Sequence, residues 1–321
     1  MTTYKQTKGS SVQNFSSDPA NPIEGQLWYN TTSEELKVDA GTLVSSWATA
    51  NSMGTARYGP AGAGTKTAAL AFGGVTAASP AATITESYNG TNWTEVNDLN
   101  TGRRYGMGTG ATNTAALAIG GTPPSLAITE LWNGTNWTEV NDLGQARYGG
   151  GAAGTNTAAL VFGGIGGPNA NTETWNGTNW TEVNDLNTGR FSIMGVGATN
   201  TAALGFGGYG PPGAVITETW NGTNWTEVND LNTGRQQSAA AGTNTAALVF
   251  GGSQPTTAVT ETWNGTNWTE VNDLNTARYN LAGSTNGTNT AALAFGGQNP
   301  SRLAATEEWS TSGGTETIST S

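Results

Sequence analysis

The chain has 321 residues, a net charge of −11, and neither Cys nor His. It therefore lacks disulfides, thiolate nucleophiles, imidazole bases and most zinc or copper ligands, which excludes a large class of enzymes. The acidic charge argues against nucleic acid as a partner. No apolar run has the length of a membrane span or the character of a secretion signal, so we expect synthesis in a cytoplasm and no membrane insertion.

Residues 1–43 do not fit the pattern of the rest of the chain, and the segment 10–22 is rich in Ser, Thr, Asn and Pro, which predicts an extended arm. Residues 26–29 and 36–38 flank a polar stretch and predict a short hairpin. The segment GQLWYN resembles the start of tail-fibre-like and other virion proteins of tailed phages. That resemblance covers about fifteen residues and implies an anchor or assembly role for the arm.

A repeat dominates the remainder of the chain. The sequence WNGTNWTEVNDL occupies residues 132–143 and recurs unchanged at 175–186, 220–231 and 263–274, while residues 88–99 differ in one letter. Gly pairs begin at Gly73, Gly120, Gly163, Gly207, Gly251 and Gly296, at intervals of 47, 43, 44, 44 and 45 residues. Each unit contains four strand candidates, so the period predicts six propeller blades.

One unit shows the landmarks in order: Gly163 with Gly164, Trp175, Trp180 and Arg190. This order resembles the kelch repeat, although the two Trp lie five apart rather than the usual six or seven. The resemblance implies an all-β, six-bladed β-propeller of four-stranded kelch-like blades over residues 44–310. Residues 1–43 would form the arm with its hairpin, and 311–321 a carboxy-terminal tail.

The NGTN turn predicts that Trp132 and Trp137 lie opposite each other and stack. Each ring can bury roughly 150–250 Å², worth at most about 4–6 kcal/mol. The predicted structural tryptophans are Trp93, Trp137, Trp180, Trp225 and Trp268.

Ring closure needs a fourth strand for the sixth blade. Residues 45–57 align with a fourth strand and its following Arg although no blade precedes them. We expect residues 47–50 to complete the sixth blade, with residues 315–318 as the competing donor.

Each unit carries one framework Arg, for which two roles are open. Each Arg can pair with a Glu or Asp of its own or the adjacent blade, or the six can form a ring that grips anionic sugars. Their sameness among the copies favours the scaffold role. The residues are Arg57, Arg103, Arg147, Arg190, Arg235 and Arg278.

No motif predicts a metal or cofactor. Residues 98–102 have the D-x-N-x-G form of a calcium loop, but the copy at Asp142 and Gly144 breaks it, so ordinary turn chemistry explains it better. The many Asn-x-Thr triplets are likewise better explained as turns and strands than as glycosylation sites.

A carboxylate-based glycosidase remains an alternative because Glu and Asp are plentiful. The regular Glu residues lie in identical repeats, however, whereas an active site needs one asymmetric pair. The copper ligands of kelch-like galactose oxidases and the repeated box of sialidases are both missing from the sequence. We expect no enzyme activity.

The copies differ in two places that strand alternation puts on one face. These are the position after the framework Arg and the Pro-containing loop after the Gly pair; the GTNT and NGTN turns of the opposite face are nearly invariant. Fixed turns opposite a diversified face predict a binding surface, with unselected drift as the alternative. The candidate binding residues are Tyr58, Arg104, Tyr148, Phe191, Gln236, Tyr279, Tyr209, Gln254, Asn299 and Arg302.

Together these features predict a non-enzymatic structural and recognition module, located in a phage virion as a tail fibre or surface-decoration protein. The arm would bind other virion proteins, and the diversified face a host-surface glycan or protein. The alternatives are a glycan-acting enzyme on a propeller scaffold and a bacterial intracellular adaptor.

Overall fold

The computed structural model describes residues 12–19, 26–164, 170–210 and 214–317. Throughout these residues the regular secondary structure is β-strand, arranged in six sheets. The chain divides into two compact units: residues 46–310, and the described residues up to Ser45 together with those from Thr311. Two strands are longer than the others, β3 (Glu35–Ala50) and β26 (Thr306–Thr317).

The larger unit contains six blades of four strands each, numbered in chain order. The first strands are β4 (Ala61–Thr65), β8 (Met107–Thr112), β12 (Gly151–Gly154), β16 (Met194–Thr199), β20 (Ala239–Gly242) and β24 (Ala282–Gly283). The second strands are β5 (Ala68–Phe72), β9 (Ala115–Ile119), β13 (Ala159–Phe162), β17 (Ala202–Phe206), β21 (Ala247–Phe250) and β25 (Ala291–Phe295).

The third and fourth strands are joined by the NGTN turns in the first five blades. The third strands are β6 (Thr85–Tyr88), β10 (Thr129–Trp132), β14 (Thr172–Trp175), β18 (Thr217–Trp220), β22 (Thr260–Trp263) and the start of β26. The fourth strands are β7 (Trp93–Val96), β11 (Trp137–Val140), β15 (Trp180–Val183), β19 (Trp225–Val228), β23 (Trp268–Val271) and the end of β3.

The first strands surround a central axis. They contact one another in the cyclic order β4, β8, β12, β16, β20, β24 and back to β4. At the closest approach of two blades there is no room for a side chain: a Cβ on Gly108 would lie 2.5 Å from the carbonyl oxygen of Gly62 in the neighbouring blade. The predicted six-bladed β-propeller is therefore confirmed in the described part of the chain.

The sixth blade takes its fourth strand from the amino-terminal side of the ring. β3 is the neighbour of β26 in that sheet, and the rings of Trp47 and Trp309 lie 5.4 Å apart. The Trp47 indole donates to Thr260 Oγ1 of the fifth blade at 3.0 Å, and Trp93 makes the same bond to Thr306 across the closing interface. The competing strand, 315–318, extends outside the described residues.

A pair of aromatic residues on the third and fourth strands packs each blade against the one before it. Trp220 and Trp225 are cross-strand partners, as predicted for the NGTN hairpin, and their rings lie 5.4 Å apart. Trp225 also meets Phe162 of the preceding blade edge to face at 4.7 Å. Trp137, Trp225 and Trp268 are buried.

Two fourth-strand tryptophans are only half-buried. Trp93 lies opposite the smaller Tyr88, and Ile119 stands where a Phe would pack against Trp180. Trp180 is therefore less enclosed than the sequence predicts.

The smaller unit contains the amino-terminal hairpin. β2 (Leu27–Asn30) pairs with the start of β3, and β1 (Gln13–Phe15) pairs with β2 in parallel. Asp18 accepts hydrogen bonds from Asn30 Nδ2 at 2.8 Å, Lys37 Nζ at 2.9 Å and Trp28 Nε1 at 3.0 Å. These donors hold the pKa of Asp18 at about 2. The predicted anchor segment before residue 12 lies outside the described residues.

Candidate functional site

The two diversified segments of a blade meet at one end of it. In five of the six blades, the residue after the framework Arg forms an isolated antiparallel bridge, within the described residues, with the first residue after the Gly pair. These bridges are Tyr58–Val75, Arg104–Thr122, Phe191–Tyr209, Gln236–Ser253 and Tyr279–Gln298. We call the surface formed by these bridges and the loops that follow them the variable face.

The predicted binding residues differ in how far they reach solvent. The loop residues are exposed: Tyr209 (54% exposed), Gln254, Asn299 and Arg302. The residues after the framework Arg lie deeper, with five half-buried (Tyr58, Arg104, Tyr148, Phe191 and Tyr279) and one, Gln236, buried. Their backbone bridges account for this, because each bridge lies against the Gly pair.

Three of these residues share a recess between the fourth and fifth blades. Tyr209, Gln236 and Gln254 line it with Ser253, and it encloses about 210 Å³. The Phe191 ring lies 5.0 Å from that of Tyr209 and extends the aromatic surface. The recess offers one exposed ring and two amides, a combination able to stack on a ligand and to hydrogen-bond it.

The position two residues after each framework Arg has a left-handed backbone in every blade. Two of the six residues are Gly, and four carry side chains. Their φ angles are 62° at Gly59, 52° at Tyr105, 64° at Gly149, 53° at Ser192, 57° at Gln237 and 54° at Asn280. L-residues rarely adopt this conformation.

Backbone hydrogen bonds link these positions from blade to blade. Gly59 N donates to Asn280 O at 2.7 Å, Tyr105 N to Gly59 O at 2.9 Å, and Asn280 N to Gln237 O at 2.8 Å. Gly149 N donates to Tyr105 O at 2.9 Å. At each of these four donors the left-handed turn therefore directs the backbone N–H toward the neighbouring blade, where it donates a hydrogen bond. In the sixth blade the first strand accordingly begins only at Ala282, two residues after the left-handed Asn280.

These six positions surround a cavity on the axis of the propeller. It measures about 150 Å³ and is lined by residues of all six blades, none of them charged. The lining comes from the left-handed positions and the first residues of the first strands, so the cavity lies in the half of the ring next to the variable face.

Two predicted residues, Tyr58 and Arg104, lie beside Tyr105, and a third, Arg302, lies beside Tyr58. The Tyr58 ring lies 6.4 Å from the Tyr105 ring, and the Arg104 guanidinium lies 5.6 Å above the Tyr105 ring. Arg302 lies 5.8 Å from the Tyr58 ring. Burial raises the pKa of Tyr105, and Tyr58 adds to the rise. Neither Arg forms a salt bridge with a described residue, so cation–π contacts hold both.

The framework arginines are buried with carboxylate partners in the following blade. Arg190 Nη2 lies 2.8 Å from Glu218 Oε1, and its Nη1 donates to the carbonyls of Gly207 and Ile216 at 3.0 and 2.7 Å. Burial lowers the pKa of each of these guanidiniums, and the paired Glu opposes the shift. All six have 2% or less of the side chain exposed, so they are not available to grip a sugar from solution.

The described residues contain no group of three or more acidic side chains placed to hold a metal ion. The same residues include no helix with the length and hydropathy required to cross a membrane.

Comparison with known proteins supports the fold. No family model matches the chain, and no curated protein does. Among solved structures, 415 chains resemble it, one of them a structure of YjhT with a TM-score of 0.64 and 12% identity. The alignment covers 81% of this chain and 98% of YjhT. At that identity the likeness concerns the fold alone.

Proposed function

We propose that this propeller is a non-enzymatic recognition module of a phage virion, and that its kelch-like blades present the variable face to a host-surface glycan or protein. The observation that carries the proposal is the contrast between the two ends of each blade. The NGTN ends are nearly identical among the copies, whereas the opposite ends differ and expose Tyr209, Gln254 and Arg302. Loops on a rigid scaffold are where binding residues concentrate.

The chemistry of the variable face favours binding over catalysis. A glycosidase needs two carboxyl groups on either side of the scissile bond. Within the described residues, neither the axial cavity nor the recess at Tyr209 is lined by Asp or Glu. Tyrosine rings, amides and arginines supply stacking and hydrogen bonds instead.

The first test measures binding of labelled protein to an array of bacterial surface polysaccharides and to intact bacteria. The double variant Tyr209→Ser, Gln254→Ala should weaken binding at least about tenfold, since it removes the exposed ring and one amide of the recess. The control is Thr138→Ala. Thr138 is exposed on a fourth strand whose sequence recurs unchanged among the copies, so this variant should bind as the parent protein does.

Loss of binding in the control but not in the double variant would contradict this assignment. If changes on the variable face never alter binding, the loop differences are drift and the propeller is a spacer.

The virion assignment rests on the GQLWYN segment at residues 25–30. The arm would hold the propeller on the particle through other virion proteins. Deleting residues 1–22 should release folded propeller from particles, measured by co-sedimentation. Intact protein found only free in the cytoplasm of a host would favour the intracellular adaptor instead.

A further inference from the structure

The left-handed positions around the axial cavity hold side chains where glycine would be less strained. A non-Gly residue at φ near 55° is disfavoured by contact between its Cβ and the backbone. This strained conformation occurs at four residues: Tyr105, Ser192, Gln237 and Asn280. Every one of the four ends in a hydroxyl or an amide.

The two glycines show that the position itself requires no side chain. Gly59 is explained by its neighbour, because a Cβ there would lie 2.7 Å from the Tyr105 ring. Gly149 has no such neighbour: its nearest contact would be Ser192 N at 3.4 Å, an ordinary separation. Strained polar residues in the other blades are therefore not forced by packing, and strain that packing does not explain is concentrated at functional sites.

The cavity contains further polar groups without partners. Ser238, 8% exposed, and Thr285 line the cavity, and the hydroxyl of each is shielded from solvent without a hydrogen-bond partner in the described part of the chain. Asn280 is 7% exposed. Buried polar atoms are normally paired, so a ligand in the cavity can satisfy the Ser238 and Thr285 hydroxyls once these side chains rotate toward it.

We propose that the axial cavity binds one neutral saccharide unit, held by Tyr105, Ser192, Gln237 and Asn280. This deepens, and rests on, the proposed recognition of surface glycans. Hydroxyls and amides both donate and accept hydrogen bonds, as the hydroxyls of a sugar require. The Gln237 amide oxygen accepts from Ser253 Oγ at 2.9 Å, so Gln237 would act toward the sugar as a donor. The lining residues carry no charge, so an ionised sugar would lose its hydration there without compensation.

The dimensions fit a single ring. The 150 Å³ of the cavity corresponds to about five water molecules at the density of the liquid, close to the size of one pyranose and too small for a chain of them. The Tyr105 ring, at the edge between the first two blades, supplies an aromatic surface for the apolar face of that pyranose.

The test is titration of the full-length protein with methyl glycosides of neutral hexoses and N-acetylhexosamines. The triple variant Ser192→Gly, Gln237→Gly, Asn280→Gly gives these blades the residue already present at Gly59 and Gly149. It should fold with an unchanged or higher thermal midpoint, because glycine suits the left-handed backbone. It should lose at least about tenfold in affinity, as expected for several lost hydrogen bonds.

Two further variants keep the test decisive. Gly149→Asn adds an amide where a Cβ has room; equal or tighter binding agrees with the proposal, and loss of binding contradicts it. Thr138→Ala serves as the unaffected control.

Each result separates this proposal from recognition by the variable face. Undiminished binding by the triple variant, or binding of acidic glycosides only, overturns the cavity site. If no glycoside binds but whole cells do, and binding depends on Tyr209, the cavity site is wrong while recognition by the variable face stands. If neither glycosides nor cells bind, both proposals fail.

Discussion

Single tryptophans connect neighbouring blades. Trp225 contacts Trp220 in its own blade and Phe162 in the preceding one, and its indole donates to Thr172 Oγ1 at 3.1 Å. A side chain that satisfies its only donor while packing on two rings is costly to remove.

We predict that Trp225→Ala lowers the free energy of unfolding by about 3–5 kcal/mol, the usual range for truncating a buried aromatic. Trp180→Ala should cost about 1 kcal/mol less, because Ile119 offers no aromatic edge. Urea unfolding of both variants, with equal slopes, measures the difference. Equal losses of unfolding free energy in the two variants would show that the aromatic contact between blades does not cause the difference.

The contacts that Asp18 makes in the smaller unit depend on pH. Its pKa falls from 3.8 to about 2 on folding, so the ionised carboxylate stabilises the contacts with Trp28 and Lys37 above about pH 4. That contribution disappears as the pH falls toward 2. We predict that the Trp28 indole N–H resonance shifts in this window. Asp18→Asn should abolish the titration, and an identical curve in that variant would refute the assignment.

The left-handed positions illustrate what the sequence does not reveal. The four non-Gly positions are occupied by residues of different types: Tyr105, Ser192, Gln237 and Asn280. A tyrosine or a glutamine in a sequence gives no indication that its φ angle is positive. The available signal is that the same position is Gly59 and Gly149 in two other blades. Their role depends on the closed ring, which brings six distant segments together.

At the scale of the element, the closing interface between the sixth and first blades differs from the other five. Lys66 replaces an Asn of the GTNT turn, Tyr88 replaces a Trp, and Glu308 stands where other blades have Thr, Ser or Leu. Lys66 Nζ lies 3.5 Å from Glu308 Oε2, and the Tyr88 hydroxyl donates to Glu308 Oε1 at 2.7 Å. Burial, with Glu308 beside it, raises the pKa of Tyr88, which keeps the donor protonated.

These substitutions give the interface between the first and sixth blades a Lys–Glu pair, which no other interface between described blades has in addition to its framework Arg–Glu pair. Near-identical repeats risk joining in the wrong order, and a polar pair can specify the right one.

We predict that Lys66→Glu and Glu308→Lys each lower the thermal midpoint and that the double reversal recovers part of the loss. The coupling should be about 0.5–1 kcal/mol, because the side chains are 21% and 24% exposed and solvent screens them. Additive losses would show that the pair is not coupled.

The hairpin elements were the most predictable part of the chain. An NGTN turn fixes the register, so Trp132 had to face Trp137, and the structure has this pairing. How deeply each tryptophan is buried was harder to predict from the sequence, because the burial of Trp180 depends on Ile119, which belongs to another blade.

At the scale of the whole molecule, closure determines whether six blades form a ring. Residues 46–50 of β3 lie beside β26, and Asn275 Nδ2 donates to Trp47 O at 3.2 Å. The unmatched fourth strand at residues 45–57 made this closure predictable from the repeat alone. The ligand that we propose for the variable face was not predictable, because diversity among the copies marks a surface without indicating what would bind there.

A comparison of two truncations tests closure, on which both the variable face and the axial cavity depend. Deletion of residues 1–43 should leave the larger unit folded and monomeric by sedimentation, with its thermal midpoint retained. Deletion of residues 1–50 should remove Trp47, expose the edge of β26, lower the midpoint and promote aggregation. If the longer truncation is as stable and monomeric as the shorter one, the ring is not closed by β3, and the account of the propeller is wrong.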